Sequence, residues 1–191
     1  KLQPEATIYV LDGLIKGGAD VYLKHGLRPA LATLDQVHDW AQHGRNKPCA
    51  LHVDTGINRL GLAMHEFFEL AETPALNHKL NITLLMSHLA CSDSPKHPMN
   101  RKQLEKFKQA CALYPHLPAS FANSSGIYLG KAYAFDLVRP GVALYGGNPL
   151  LPRKNPMRPV AQLAIRVLQI RTVRKGETVG YSATWKAPRD S

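Results

Sequence analysis

Acidic side chains are scarce here: 14 Asp and Glu face 24 Lys and Arg, a formal charge of +10 over 191 residues. Such a balance invites a nucleic-acid partner, but the basic residues are scattered, from Lys96, Arg101 and Lys102 to Arg171, Arg174 and Lys175. Aromatics make up 7% and are not interleaved with them. A solvated basic surface, with no nucleic-acid site, is therefore expected. Cysteine is scarcer still. Cys49, Cys91 and Cys111 are odd in number and far apart, which excludes a disulfide framework and a CxxC metal pair and suits reduced thiols in a cytoplasm. No histidine pair sits at HxxxH spacing, so His52, His78 and His116 read as structural or exposed, and no metal is expected. No apolar run approaches the roughly 18 residues of a membrane span, and the first residues lack the layout of a secretion signal.

What is present is the make-up of a globular chain, 45% hydrophobic and 20% charged. Short β-branched segments recur at residues 7–11, 29–33, 50–53, 82–88, 120–123 and 137–139. Between them, residues 14–25, 34–43, 65–72 and 100–114 carry apolar side chains at helical spacing, with Leu104, Phe107, Cys111 and Tyr114 forming the clearest face. Alternating strands and helices imply parallel pairing through right-handed crossovers. Pattern alone leaves both an open doubly wound sheet and a closed barrel. The chemically interesting residues favour the barrel, because Arg59, His88, Ser124 and Arg139 fall at or just after successive strands, where a barrel's carboxyl-terminal rim gathers its site.

The expected fold is thus α/β, a (β/α)8 TIM-type barrel over residues 1–147 with about six of its eight strands present. The remaining two are expected before Lys1. Residues 148–160, with four prolines, suit a linker. Residues 162–173 alternate apolar and polar positions, and a turn at Arg174, Lys175 and Gly176 leads into residues 178–185. Residues 161–191 are accordingly expected to open a mostly β C-terminal domain.

Five segments carry a resemblance: His52-Val-Asp-Thr-Gly-Ile-Asn-Arg59-Leu-Gly-Leu, Ser87-His-Leu-Ala-Cys-Ser-Asp93, Phe121-Ala-Asn-Ser-Ser-Gly126, Leu137-Val-Arg-Pro-Gly-Val-Ala-Leu-Tyr-Gly146 and Val179-Gly-Tyr-Ser-Ala-Thr-Trp185. In this order and at these separations the sequence resembles the alanine racemases, fold-type III enzymes of pyridoxal 5'-phosphate. The resemblance implies interconversion of L- and D-alanine in a cytoplasmic homodimer, supplying D-alanine for peptidoglycan.

It also implies roles. Arg139 matches the arginine that faces the cofactor's pyridine nitrogen. A guanidinium does not readily lend that nitrogen a proton, so the ring remains a weaker electron sink and side reactions such as transamination are discouraged. His88 matches the histidine that bonds both this arginine and a catalytic tyrosine. Tyr181 matches that tyrosine, a base acting in the partner subunit's site; taken alone it would read as an aromatic packed in a strand. Ser124, Gly141 and the amide of Val142 match phosphate-binding positions, although Ser124 and Ser125 also suit a helix cap. Arg59 matches the arginine near the cofactor's phenolic oxygen and the substrate carboxylate. Two positions depart from the common pattern: Asn58 replaces a frequent glycine, and His52 stands where many members carry a carbamylated lysine. Chloride, a carboxylate or packing must then orient Arg59.

The family's cofactor lysine, in a Lys-Ala-Asn-Ala-Tyr-Gly-like segment, has no match here. The 191 residues alone are therefore expected to show neither racemase activity nor the absorbance of a lysine-linked cofactor. The alternatives are a racemase of broader specificity, a barrel decarboxylase, against which Arg139 argues, or a non-catalytic pyridoxal-phosphate barrel protein, against which the segment around Tyr181 argues.

Overall fold

The computed structural model describes residues 5–191. Six strands, β1 (Tyr9–Val10), β2 (Arg28–Leu31), β3 (Pro48–His52), β4 (Asn81–Met86), β5 (Ala119–Asn123) and β6 (Leu137–Arg139), pair in sequence order. All five pairings are parallel. The result is a curled half-barrel. Its crossovers carry the helices α1 (Ala19–His25), α2 (Leu34–His43), α3 (Met64–Ala71), α4 (Pro74–Asn77), α5 (Pro98–Leu113) and α6 (Lys131–Ala134), and α7 (Gly141–Leu144) follows β6.

The two-residue period of the strands sorts the side chains. Leu31, Leu51, Leu85 and Phe121 join Val37, Trp40, Phe67, Leu104 and Phe107 of the helices in one buried cluster. Ala30, Ala50, Leu84 and Met86 form a second, smaller cluster on the opposite face, with Tyr9 packed against it. Phe107 stacks on Phe121 with ring centroids 4.8 Å apart, a contact worth about 1 kcal/mol beyond area burial. Local signals fix the helix starts. Thr33 Oγ1 accepts from Gln36 N at the head of α2, and Glu66 accepts from Ala63 N at the head of α3.

The strand edges agree with the sequence expectation to within two residues, and β6 coincides with it at both ends. The larger differences lie in α1, which starts at Ala19 where helical spacing suggests residue 14, and in residues 162–173, which carry no strand. Gly17 and Gly18 interrupt the first helical pattern. The second segment finds no partner strand among the described residues, and alternation without a partner makes no ladder.

The chain divides into two compact units at Val160 and Ala161. In the second, β7 (Thr178–Val179) pairs antiparallel with β8 (Trp185–Lys186), and a 3-10 turn, Tyr181–Ala183, joins them. No helix among the described residues is long and apolar enough to cross a membrane.

Candidate active site

At the carboxyl ends of the strands, the parity that turns Ala50, Met86 and Ser120 away from the helices also selects His52, His88 and Arg139. Arg139, the last residue of β6, donates from Nη1 to Ser120 Oγ and from Nη2 to the Ser87 carbonyl. Its Nη2 lies 3.5 Å from His88 Nδ1. A guanidinium has no acceptor, so Nδ1 presents its lone pair and the His88 proton sits on Nε2. Burial lowers the Arg139 pKa to about 10, which leaves it charged at neutral pH. The His88 pKa is lowered to about 4 by burial, then by Arg139 and Arg59. A neutral imidazole beside a half-buried cation is the consequence.

Ser124, buried just after β5, accepts from Ala143 N at 3.2 Å. It does not cap the turn at Gly126–Leu129; Asn123 Oδ1 accepts from Gly126 N instead. The amides of Gly141 and Val142 donate to no partner among the described residues. A cleft of about 590 Å³ is lined by Tyr9, His88, Ser124, Arg139, Gly141 and Val142, among others. Hydroxyl, free amides and guanidinium thus face one cavity. Arg59 lies in the exposed loop after β3 and has no hydrogen-bond partner among the described residues, yet its charge reaches both His88 and His52. Tyr181 belongs to the second unit, where it is 99% exposed. Among the described residues, no group of His, Cys, Asp and Glu could hold a metal ion.

The departure at Asn58 has a backbone reason. Its φ of +54° is left-handed, a conformation that glycine adopts freely and asparagine tolerates best of the remaining residues. His52 is more unusual. It is 6% exposed, and neither ring nitrogen has a partner. Burial foremost, then Arg139 and His88, lower its pKa to about 4, and the Arg59 charge adds to this.

Tyr9, Thr55, Ser87, Ser120 and Gln103 join the site or its support without having been singled out by the sequence. Gln103 alone left a trace, as a polar residue on the same helical stripe as Asn100, Leu104 and Phe107.

A half-barrel with a half-buried guanidinium, a hydroxyl and free backbone amides around one cleft has the architecture of a β/α-barrel anion site. The alanine racemase N-terminal domain model matches residues 1–149, and the chain belongs to that family. It is 49% identical over 188 residues to the alanine racemase of Methylobacterium nodulans, covering 96% of this chain and 50% of that one. It is 43% identical over 194 residues to that of Rhizobium meliloti, covering 100% and 51%. The crystal structure of the Bartonella henselae alanine racemase with covalently bound pyridoxal phosphate matches with TM-score 0.84 at 35% identity, over 100% of this chain and 54% of that one. The chain therefore spans about half the length of the curated relatives it matches.

The buried, unpartnered His52 sets a pH dependence. The unfolded chain binds its proton near pH 6.5, whereas the folded one resists until about pH 4. Stability is thus undiminished above 6.5 and falls as pH drops toward 4, by about 3 kcal/mol at full protonation. Urea midpoints at pH 7, 5 and 4 are expected to fall less steeply in His52→Leu, with the remaining slope due to His88. Parallel pH slopes for the two proteins would refute this.

Proposed function

We propose that the intact protein is a pyridoxal 5'-phosphate-dependent alanine racemase, a cytoplasmic homodimer that makes D-alanine for peptidoglycan. The observation that carries the reading is Arg139, held by Ser120, the Ser87 carbonyl and His88 at the wall of the cleft that also contains Ser124. The donor set fits the cofactor. The Ser124 hydroxyl and the free amides of Gly141 and Val142 suit a phosphate, and Arg139 suits the pyridine nitrogen.

When bound, the cofactor would supply an electron sink for the α-carbon of alanine. Arg139 would hold its pyridine nitrogen with a hydrogen bond and lend it no proton. His88, neutral with its proton on Nε2, is free to donate that proton in a hydrogen bond to the phenol oxygen of the partner subunit's Tyr181. Tyr181 removes or returns the proton on one face. The base for the other face is a lysine for which this chain has no matching segment. Arg59 draws the substrate carboxylate.

Chiral chromatography of the full-length protein supplied with the cofactor and L-alanine, L-serine, L-lysine or L-arginine tests the proposal. Alanine is expected to racemise fastest. Absence of D-alanine would overturn the reading, and equal rates on all four would replace it with a broad-specificity racemase.

A further inference from the structure

Gln103 lies on α5, on the outer side of the sheet, and is completely buried. A glutamine on a helix's core face is costly unless its amide is satisfied. Here three bonds satisfy it. Nε2 donates to the His88 carbonyl at 2.9 Å and to Thr55 Oγ1 at 3.1 Å, while Oε1 accepts from Ala90 N at 2.9 Å. The orientation of the amide is forced, because a flip would set Nε2 against the Ala90 amide and Oε1 against the His88 carbonyl. Since Thr55 Oγ1 accepts from Gln103, its own proton is free for Ser87 Oγ, 2.8 Å away. The Ser87 carbonyl in turn accepts from Arg139.

We infer that Gln103 is a positioning residue for the Arg139–His88 pair, its side-chain amide tying the loop after β3 to the loop after β4. His88 is bracketed: Gln103 grips its carbonyl and the amide two residues on, and Arg139 grips the carbonyl before it. With the backbone pinned on both sides, the imidazole is kept within 3.5 Å of the guanidinium. Thr55 opens the loop that carries Arg59, so one amide sets two arms of the site. Gln103 touches no substrate or cofactor atom. Leucine or methionine would fill its space but orphan the His88 carbonyl and the Ala90 amide. Glutamate would keep an acceptor for Ala90 but present a carboxylate to a carbonyl.

The kinetic part of the test rests on the racemase reading; the spectroscopic part does not. In the full-length protein, His88 is to be titrated by NMR in the wild type, Gln103→Met and Gln103→Glu, with Thr55→Val as a milder break that keeps the side-chain shape. The charged and titratable groups facing His88 are Arg139, Arg59 and His52. Freed from its bracket, His88 is expected to titrate about one pH unit higher in Gln103→Met and by a smaller interval in Thr55→Val. In racemisation, kcat should fall on the order of 10- to 100-fold with KM moving less, and the acid limb of the pH profile should shift up with His88. Gln103→Glu should recover activity as pH falls and its carboxyl regains a proton to donate. A loss of thermal stability with His88 titration and pH profile unmoved in every folded variant would overturn the inference. If the wild type makes no D-alanine but the variants still shift His88, positioning stands and the racemase reading falls.

Discussion

Replacing Tyr181 with phenylalanine in the full-length protein is expected to lower kcat for alanine racemisation ~10²–10⁴-fold, the usual contribution of a placed acid–base group. The fold gives this prediction a clean background. Tyr181 is 99% exposed within a 3-10 turn and makes no side-chain hydrogen bond among the described residues. Loss of its hydroxyl should leave the unfolding midpoint of the chain unchanged. A fall in both rate and stability would point to a packing role and against the base. Subunit mixing tests the second half of the claim. If Tyr181 serves the partner's site, a Tyr181→Phe chain paired with an inactive Arg139 variant has one site carrying both residues. Random reassortment of equal amounts should then restore roughly a quarter of wild-type activity. Mixtures no more active than the parents would place Tyr181 in its own subunit's site or outside any site.

The barrel strands were legible because each is a short apolar run bounded by turn residues, and parallel pairing in sequence order follows from the helices between them. Residues 162–173 show the same alternation and form no strand. A ladder needs a second strand at the right distance, which is a property of the fold and not of the segment. The candidate site divides in the same way. Arg139, His88 and Ser124 could be picked out by their places at strand ends and in matching segments. The residues that hold them could not. Gln103 works through two backbone groups 13 and 15 residues away and through Thr55, 48 residues away, and Ser120 reads in the sequence as one more small residue in a strand. His52 was legible as a departure from the family pattern. That both its ring nitrogens would lie buried and unpaired was not, since burial depends on the whole sheet.

Arg139→Glu should be nearly as damaging as loss of Tyr181 and more revealing. Burial lowers the arginine only to about 10, so at pH 7 the group stays charged and has no tendency to give its proton to a pyridine nitrogen. A carboxyl group in that place can share a proton with the ring. It also removes the donor that satisfies the Ser87 carbonyl, a loss of about 1–3 kcal/mol for a buried group left unpaired, whereas Ser120 Oγ keeps its bond to the Leu137 carbonyl. The combined expectation is a kcat for racemisation down ~10²–10³-fold, accompanied by slow half-transamination in which the amino group passes to the cofactor, read as pyruvate formed together with pyridoxamine 5'-phosphate, at most one per cofactor supplied. Arg139→Lys separates the two effects. Its ammonium keeps the charge but cannot fork to Ser120, Ser87 and His88 together, so it should lose rate without gaining pyruvate. The decisive comparison is the ratio of pyruvate to D-alanine. If that ratio is the same in Arg139→Glu as in the wild type, the guanidinium does not govern how the ring holds its electrons, and its part in this site is confined to keeping His88 in place.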